Sequence, residues 1–165
     1  MAPRPVEFLP YVAGDATRRA STTAENPLLR PYSARAGLDA KDVELVVYGS
    51  CSNDEAVPNS ASGVQFKLGA THAASMDVNT ACTSFLYGLS TATAMIRTGV
   101  VKNAIVIGVE WISPFMDWDN RNVAVLFGDG CAAVVVQASD KEEGVLGEQL
   151  GCLADARHTL RVRGM

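Results

Sequence analysis

Residues 75–99 read SMDVNTACTSFLYGLSTATAMIRTG and predict a strand, a tight turn and a long helix. Ser75–Val78 is a short apolar-containing run that is typical of a strand. Thr83–Arg97 is small and apolar nearly all round, and Gly99 follows it as a stop signal. Because it carries no polar face, we expect this helix to be buried on every side.

Cys82 stands where the predicted turn meets the predicted helix. Unpaired backbone N–H groups give a helix N-terminus a partial positive charge, which favours the thiolate form of a nearby cysteine. A thiolate attacks thioesters, and N–H groups of the turn are suited to stabilise the developing oxyanion. The alternative is a core cysteine that packs as a small hydrophobic residue.

Outward from this unit, strands alternate with helices. Asn59–Leu68, followed by Gly69, predicts a helix. Val123–Phe127 and Cys131–Gln137 flank Gly128-Asp129-Gly130 and predict a β-hairpin. The further predicted strands are Glu44–Gly49, Asn103–Trp111 and Gly144–Leu150. This order predicts an α/β domain with a mixed sheet flanked by helices.

Amino-acid composition and charge argue against several classes of function. The 165 residues carry a formal net charge of −4 and 48% hydrophobic residues, which is typical of a globular domain. The acidic main body argues against nucleic-acid binding. The sequence contains no run of 18 uncharged apolar residues, so a membrane span is not predicted. The first residues do not resemble a secretory signal. We therefore expect a cytoplasmic protein with free thiols.

The remaining cysteines and the histidines give little indication of a catalytic or metal-binding role. The four cysteines form no CxxC pair and there are two histidines, so a metal site is not predicted. Cys51, Cys131 and Cys152 are interpreted as packing residues. Asp129 is interpreted as a turn-stabilising side chain. His72 is predicted to be exposed, and His158 lies in a basic tail without a defined environment.

Four segments together resemble one enzyme family, β-ketoacyl-acyl-carrier-protein synthase III, a condensing enzyme of the thiolase-like fold. They stand in the family's order and at suitable spacing, which is far more specific than any single motif. The segments are AGLDAKDVELVVYGSCS at Ala36–Ser52, DVNTACTSFLYGL at Asp77–Leu89, VKNAIVIGVE at Val101–Glu110 and AVLFGDGCAAVVV at Ala124–Val136.

The resemblance implies roles for three residues. Cys82 would accept an acyl group from acyl-coenzyme A, for decarboxylative condensation with malonyl-acyl carrier protein that gives a β-ketoacyl product. Arg121 matches an arginine that packs against coenzyme A, although a solvated loop arginine is the alternative. Val57 occupies a place held by phenylalanine in short-primer members, where that ring closes the acyl pocket of the dimer partner. Valine there predicts a deeper pocket for medium or longer primers, unless Val57 only fills a loop contact.

The same resemblance sets the expected domain organisation. Residues 1–33 are divergent, proline-rich and expected to be poorly ordered, residues 34–152 form the N-terminal half of the synthase domain, and residues 153–165 are a truncated tail. The family's catalytic histidine and asparagine come from the other half. We therefore expect a fragment, from a truncated or frameshifted gene, with little activity alone. A homodimer, no cofactor beyond the coenzyme A thioester and no nucleic-acid or membrane partner are also implied.

Three other interpretations stay open. A related thiolase-fold enzyme, such as a thiolase, a hydroxymethylglutaryl-coenzyme A synthase or a chain-joining condensing enzyme, would also place a cysteine at this helix start. A non-catalytic remnant or interaction module would leave Cys82 inert. A redox-sensing thiol protein ranks last, because the sequence shows no resolving cysteine near Cys82.

Overall fold

The computed structural model describes residues 5–8, 12–14, 37–141 and 143–161. Within them one mixed sheet carries helices on both faces. The strands are β1 (Val6–Phe8), β2 (Val12–Gly14), β3 (Leu45–Gly49), β4 (Ala74–Val78), β5 (Asn103–Glu110) and β6 (Gly130–Ala138). The α-helices are α1 (Ser60–Leu68), α2 (Ser84–Arg97) and α3 (Arg121–Ala124). Short 3-10 turns occur at Ala40–Asp42, Ser113–Phe115 and Ala154–Ala156.

The sheet has the order β1-β6-β5-β3-β4, and β2 also pairs with β6. β3 pairs in parallel with both β4 and β5, whereas β5 and β6 are antiparallel along their whole length. All five residues of β3 are buried. A central strand covered on both faces explains the continuous apolar run LVVYG in the sequence.

The core lies in two layers because successive strand residues point to opposite faces. Val46 and Tyr48 of β3 pack in the layer under α1, together with Val64 of that helix. Leu45 and Val47 pack in the layer under α2, where Ile96 joins them. This arrangement confirms the α/β class with a mixed sheet that the sequence predicts.

The helix limits also agree with the glycine signals. α1 ends before Gly69, which has a φ of 75°, and Gly99 beyond α2 has a φ of 78°. Both are left-handed positions that favour glycine. However, α2 is not buried on every side. Leu86 is 56% exposed, because only the side of the helix that faces β3 and β5 is covered.

The predicted hairpin at 123–137 is wrong. Arg121–Ala124 is a short helix, and the strand that begins at Gly130 pairs with β5. The register Val109↔Cys131 and Val106↔Val134 lies inside the core, so β6 gains more burial against β5 than against a neighbouring loop. The predicted strand at Gly144–Leu150 is also not formed; its Val145 N–H donates one bond to Val6 O at 3.0 Å.

Two short strands lie within residues 1–33, the segment that is expected to be poorly ordered. β1 and β2 pair antiparallel with successive parts of β6, and Val6 is fully buried. Three-residue edge strands tolerate flanking prolines, because their outer N–H groups need no partner in the sheet. Residues 1–4, 9–11 and 15–33 lie outside the described residues, as do 162–165. The proposed domain limits remain a prediction.

Candidate active site

Cys82 is exposed in the turn between β4 and α2. The preceding residue, Ala81, has a φ of 55°, which is a strained left-handed position for a side chain. Hydrogen bonds close the turn around it. Ser84 N–H donates to Ala81 O at 3.0 Å, and the Ser84 hydroxyl donates to the same oxygen at 2.5 Å. Thr80 N–H donates to Ser84 Oγ at 3.0 Å. The turn therefore presents Cys82 outward, one residue before the cap Thr83.

Asp77 anchors the strand that carries this turn. Its carboxylate accepts the N–H groups of Ser60 and Ala61 at 2.9 and 2.8 Å, and the Asn53 side-chain amide at 3.0 Å. The first two donors are unpaired amides at the start of α1, where a negative charge is favourable. One side chain at the end of β4 thus fixes the position of α1, which lies on the face of the sheet opposite to α2.

A cavity of about 640 Å³ opens beside Cys82. It lies at the carboxyl ends of the parallel strands, where α/β sheets usually bind ligands. Its lining comes from the Cys82 turn, the ends of β3 and β5 and the 128–132 segment: Gly49, Ala81, Cys82, Ser84, Phe85, Gly108, Val109, Glu110, Gly128, Asp129, Gly130, Cys131 and Ala132. Many of these residues are small, which leaves room for a substrate next to the thiol.

Asp129 organises the far wall of the cavity. Its carboxylate accepts the N–H groups of Ile112 and Ser113 at 2.8 Å each and the Ser113 hydroxyl at 2.6 Å. Burial pushes the Asp129 pKa upward, but the bonds from Ser113 and Ile112 outweigh it and the pKa is lowered. Asp129 therefore stabilises a loop through contacts with the segment after β5, rather than the hairpin turn that the sequence predicts.

Glu110 is the site residue that sequence reasoning missed. Its carboxylate accepts Cys51 N–H at 3.0 Å, the Cys51 thiol at 3.3 Å and the Ser52 hydroxyl at 2.6 Å. Ser52 Oγ in turn accepts Trp111 N–H at 2.8 Å. The available signal was an acid at the very end of the apolar run NAIVIGVE, at the same sheet edge as Cys82.

Cys51 differs from its predicted packing role. It is exposed, as is Cys152, whereas Cys131 is buried at 7% exposure as predicted. Partial burial, the bond to Glu110 and the negative charge of that carboxylate raise the Cys51 pKa to about 11. Cys51 is therefore held as a neutral thiol next to the cavity.

The other two predicted site residues do not line the Cys82 cavity in the described part of the chain. Val57 is 87% exposed in the loop before α1. Arg121 is the exposed first residue of α3. Their roles toward coenzyme A and the acyl pocket remain predictions.

Neither histidine lies in the cavity lining, which is drawn from the described residues, and both His72 and His158 are exposed. Over residues 5–8, 12–14, 37–141 and 143–161, no three metal-binding side chains of His, Cys, Asp or Glu type are grouped. In the same part of the chain, no helix is both long and apolar enough for a membrane span. The acidic side chains of the cavity lining are Glu110 and Asp129.

Comparison with known proteins gives consistent matches. The sequence model of the 3-oxoacyl-[acyl-carrier-protein] synthase III family matches residues 76–154. The chain is 44% identical over 129 residues to β-ketoacyl-[acyl-carrier-protein] synthase III 2 of Vibrio vulnificus. That match covers 78% of this chain and 36% of the relative, so the chain spans little more than a third of such relatives.

Solved structures agree with the sequence matches. The crystal structure of 3-oxoacyl-[acyl-carrier-protein] synthase III from Aquifex aeolicus is 36% identical with a TM-score of 0.64, over 66% of this chain and 35% of that one. The Pseudomonas aeruginosa synthase III is 27% identical with a TM-score of 0.71, over 85% and 54% respectively. The fold is therefore thiolase-like, as the resemblance implies. Over the part that these matches cover, the chain is similar to the 3-oxoacyl-[acyl-carrier-protein] synthase III family.

Proposed function

We propose that this chain provides the acyl-accepting nucleophile of a condensing enzyme that starts fatty-acid synthesis. The observation that carries the proposal is Cys82: it is exposed, follows a strained Ala81, stands at the start of α2 and opens onto a cavity of about 640 Å³. Similarity to this family supports the reaction class, because the relatives are named β-ketoacyl-[acyl-carrier-protein] synthase III.

The proposed reaction has two steps. The Cys82 thiolate attacks the thioester carbonyl of an acyl-coenzyme A, a new carbon–sulfur bond forms and coenzyme A leaves as its thiolate. Malonyl-acyl carrier protein then loses carbon dioxide, and the resulting carbanion attacks the acyl carbonyl. The carbon–sulfur bond to Cys82 breaks, which releases a β-ketoacyl-acyl carrier protein and restores the thiolate.

The arrangement of the turn supports the first step. The start of α2 lies just beyond the thiol, and helix amides with no partner inside the helix favour negative charge there. No side chain of the cavity lining, within the described residues, is an imidazole. The proton transfers of the second step are therefore not assigned to a residue of this part of the chain.

Arg121 and Val57 enter the proposal through the family resemblance. Arg121 lies seven residues before Gly128 of the cavity lining, and its exposed planar cation suits stacking and phosphate contact. Val57, 87% exposed, is free to enter the acyl pocket of a second copy in a homodimer. Cytoplasmic location is part of the same proposal.

The direct test is the intact mass of the chain after incubation with octanoyl-coenzyme A. We expect a gain of one octanoyl group that Cys82→Ala abolishes. Cys152→Ala is the matched control, because Cys152 is also exposed but lies outside the cavity lining, and it should still be acylated. Acylation of Cys82→Ala to the same extent would contradict the proposal.

Two variants test the supporting residues. Arg121→Ala should require a higher octanoyl-coenzyme A concentration for the same acylation without changing the maximal rate, because it removes a binding group only. Val57→Phe should shift the preferred primer from octanoyl- to acetyl-coenzyme A, because the ring would fill the pocket. An unchanged concentration dependence or primer preference would remove the respective residue from the site.

A further inference from the structure

Cys51 and Cys82 are 31 residues apart in sequence, but both extend past the same edge of the sheet. β3 and β4 pair in parallel up to Gly49↔Val78. At this edge β3 also touches α2, since a Cβ on Gly49 would lie 2.8 Å from the carbonyl carbon of Ser84. Cys51 follows Gly49 by two residues and Cys82 precedes Ser84 by two. Each cysteine therefore lies two residues from the same backbone contact between β3 and α2.

Glu110 bonds one of these cysteines and shares the cavity lining with the other. Its carboxylate accepts the Cys51 thiol at 3.3 Å and lines the same cavity as Cys82. The charge of Cys82 is also among the smaller causes that raise the Cys51 pKa. Both residues are exposed, so oxidants from solvent reach them.

We propose that Cys82 and Cys51 form a reversible disulfide, with Cys82 as the thiol that is oxidised first and Cys51 as the resolving thiol. The sequence shows no resolving cysteine near Cys82, because Cys51 is 31 residues away in the chain. A disulfide needs Cα atoms roughly 4.4–6.8 Å apart. The close approach of Gly49 to Ser84 sets the two segments that carry these cysteines against each other.

The chemistry uses hydrogen peroxide as oxidant. The Cys82 thiolate attacks one peroxide oxygen, the O–O bond breaks, and sulfenic acid and water result. The Cys51 sulfur then attacks the Cys82 sulfur. Its proton moves to the Glu110 carboxylate and from there to the departing hydroxide, so that a second water is released and the S–S bond forms. A dithiol reductant reverses the step and restores both thiols.

The disulfide would protect Cys82 from irreversible oxidation to sulfinic acid, and it would block acyl transfer while it lasts. Cys51 suits the resolving role because the Glu110 carboxylate, which accepts its S–H, is placed to take the proton when the Cys51 sulfur attacks. The inference goes beyond the proposed function and does not depend on it, since disulfide formation needs no acyl substrate.

The test is peroxide treatment of the purified chain under native conditions, followed by intact mass and non-reducing peptide mapping. We expect the loss of two hydrogen atoms, a cross-linked pair of peptides that contain Cys51 and Cys82, and reversal by dithiothreitol. In Cys51→Ser the cross-link should be absent and Cys82 should gain two oxygen atoms instead. Cys152→Ser is the matched control and should form the cross-link as the wild type does.

Two outcomes would overturn the inference. One is accumulation of sulfinic acid on Cys82 at the same rate in the wild type and in Cys51→Ser. The other is a wild-type cross-link that joins Cys82 to Cys152 rather than Cys51. The peptide map of the wild-type chain decides between the pairs without any variant. Octanoyl transfer to Cys82 in the reduced chain is measured separately, so its failure would leave the disulfide result intact.

Discussion

Replacement of Gly49 by alanine should damage the site through a backbone clash. A Cβ at this position would lie 2.8 Å from the carbonyl carbon of Ser84 and 2.9 Å from Ser84 O and Phe85 N. All three atoms belong to the backbone at the start of α2, so no side-chain rotation relieves the contact. Overpacking of this kind usually costs about 1–3 kcal/mol, and we expect the upper part of that range.

The clash should also slow acyl transfer to Cys82. Relief requires α2 to move away from β3, and the turn that holds Cys82 is closed by hydrogen bonds to Ser84 at the start of α2. Gly147→Ala is the matched control, because nothing lies within 4 Å of a Cβ at that position. Urea unfolding measures the free energy of unfolding, and octanoyl transfer to Cys82 measures the site.

We expect Gly147→Ala to stay within about 0.5 kcal/mol of the wild type and to be acylated normally. Gly49→Ala should be less stable by about 2–3 kcal/mol and should be acylated several-fold more slowly. The reasoning is refuted if the two variants have the same free energy of unfolding and the same acylation rate.

Three further changes are predicted. Asp77→Ala should lower the free energy of unfolding by about 1.5–3 kcal/mol in urea titrations, because two N–H groups of α1 lose a charged acceptor, while Asp77→Asn should lose about half as much. Asp129→Asn should destabilise the chain at neutral pH. Since the folded-state pKa of Asp129 lies below its ordinary 3.8, the difference should vanish only as the pH falls through that lowered value, and a difference independent of pH would contradict the assignment. Iodoacetamide should alkylate Cys51 roughly 10–100-fold more slowly than Cys152 at pH 8, and Glu110→Gln should speed that reaction, because a pKa near 11 leaves little thiolate; equal rates in mass-resolved peptides would count against it.

Secondary structure was predictable where local pattern and local burial agree. The apolar run of β3 and the glycines beyond α1 and α2 place these elements within a residue or two. The segment around Asp129 was misassigned as a hairpin, because β-branched residues on both sides of a glycine-rich turn look alike whether they pair with each other or with a distant strand. Only the register with β5 distinguishes the two cases.

The candidate active site likewise has features that the sequence predicts and features that it does not. The position of Cys82 at a helix start follows from the order of a strand, a short turn and an apolar helix. Its relation to Glu110 and Cys51 does not, since these residues come from three different segments. Their hydrogen bonds join positions 59 residues apart in the chain.

The amino-acid sequence by itself determined the α/β class, the resemblance to the synthase III family and the cysteine at the start of α2, because strand and helix periodicity, glycine stops and motif order are properties of neighbouring residues. Tertiary structure alone decided that β6 pairs with β5, that α2 leaves one face uncovered and that Glu110 holds Cys51 at the edge shared with Cys82. The physical reason is that these features depend on which strands become neighbours. That choice is made by burial summed over the whole sheet rather than by any single segment.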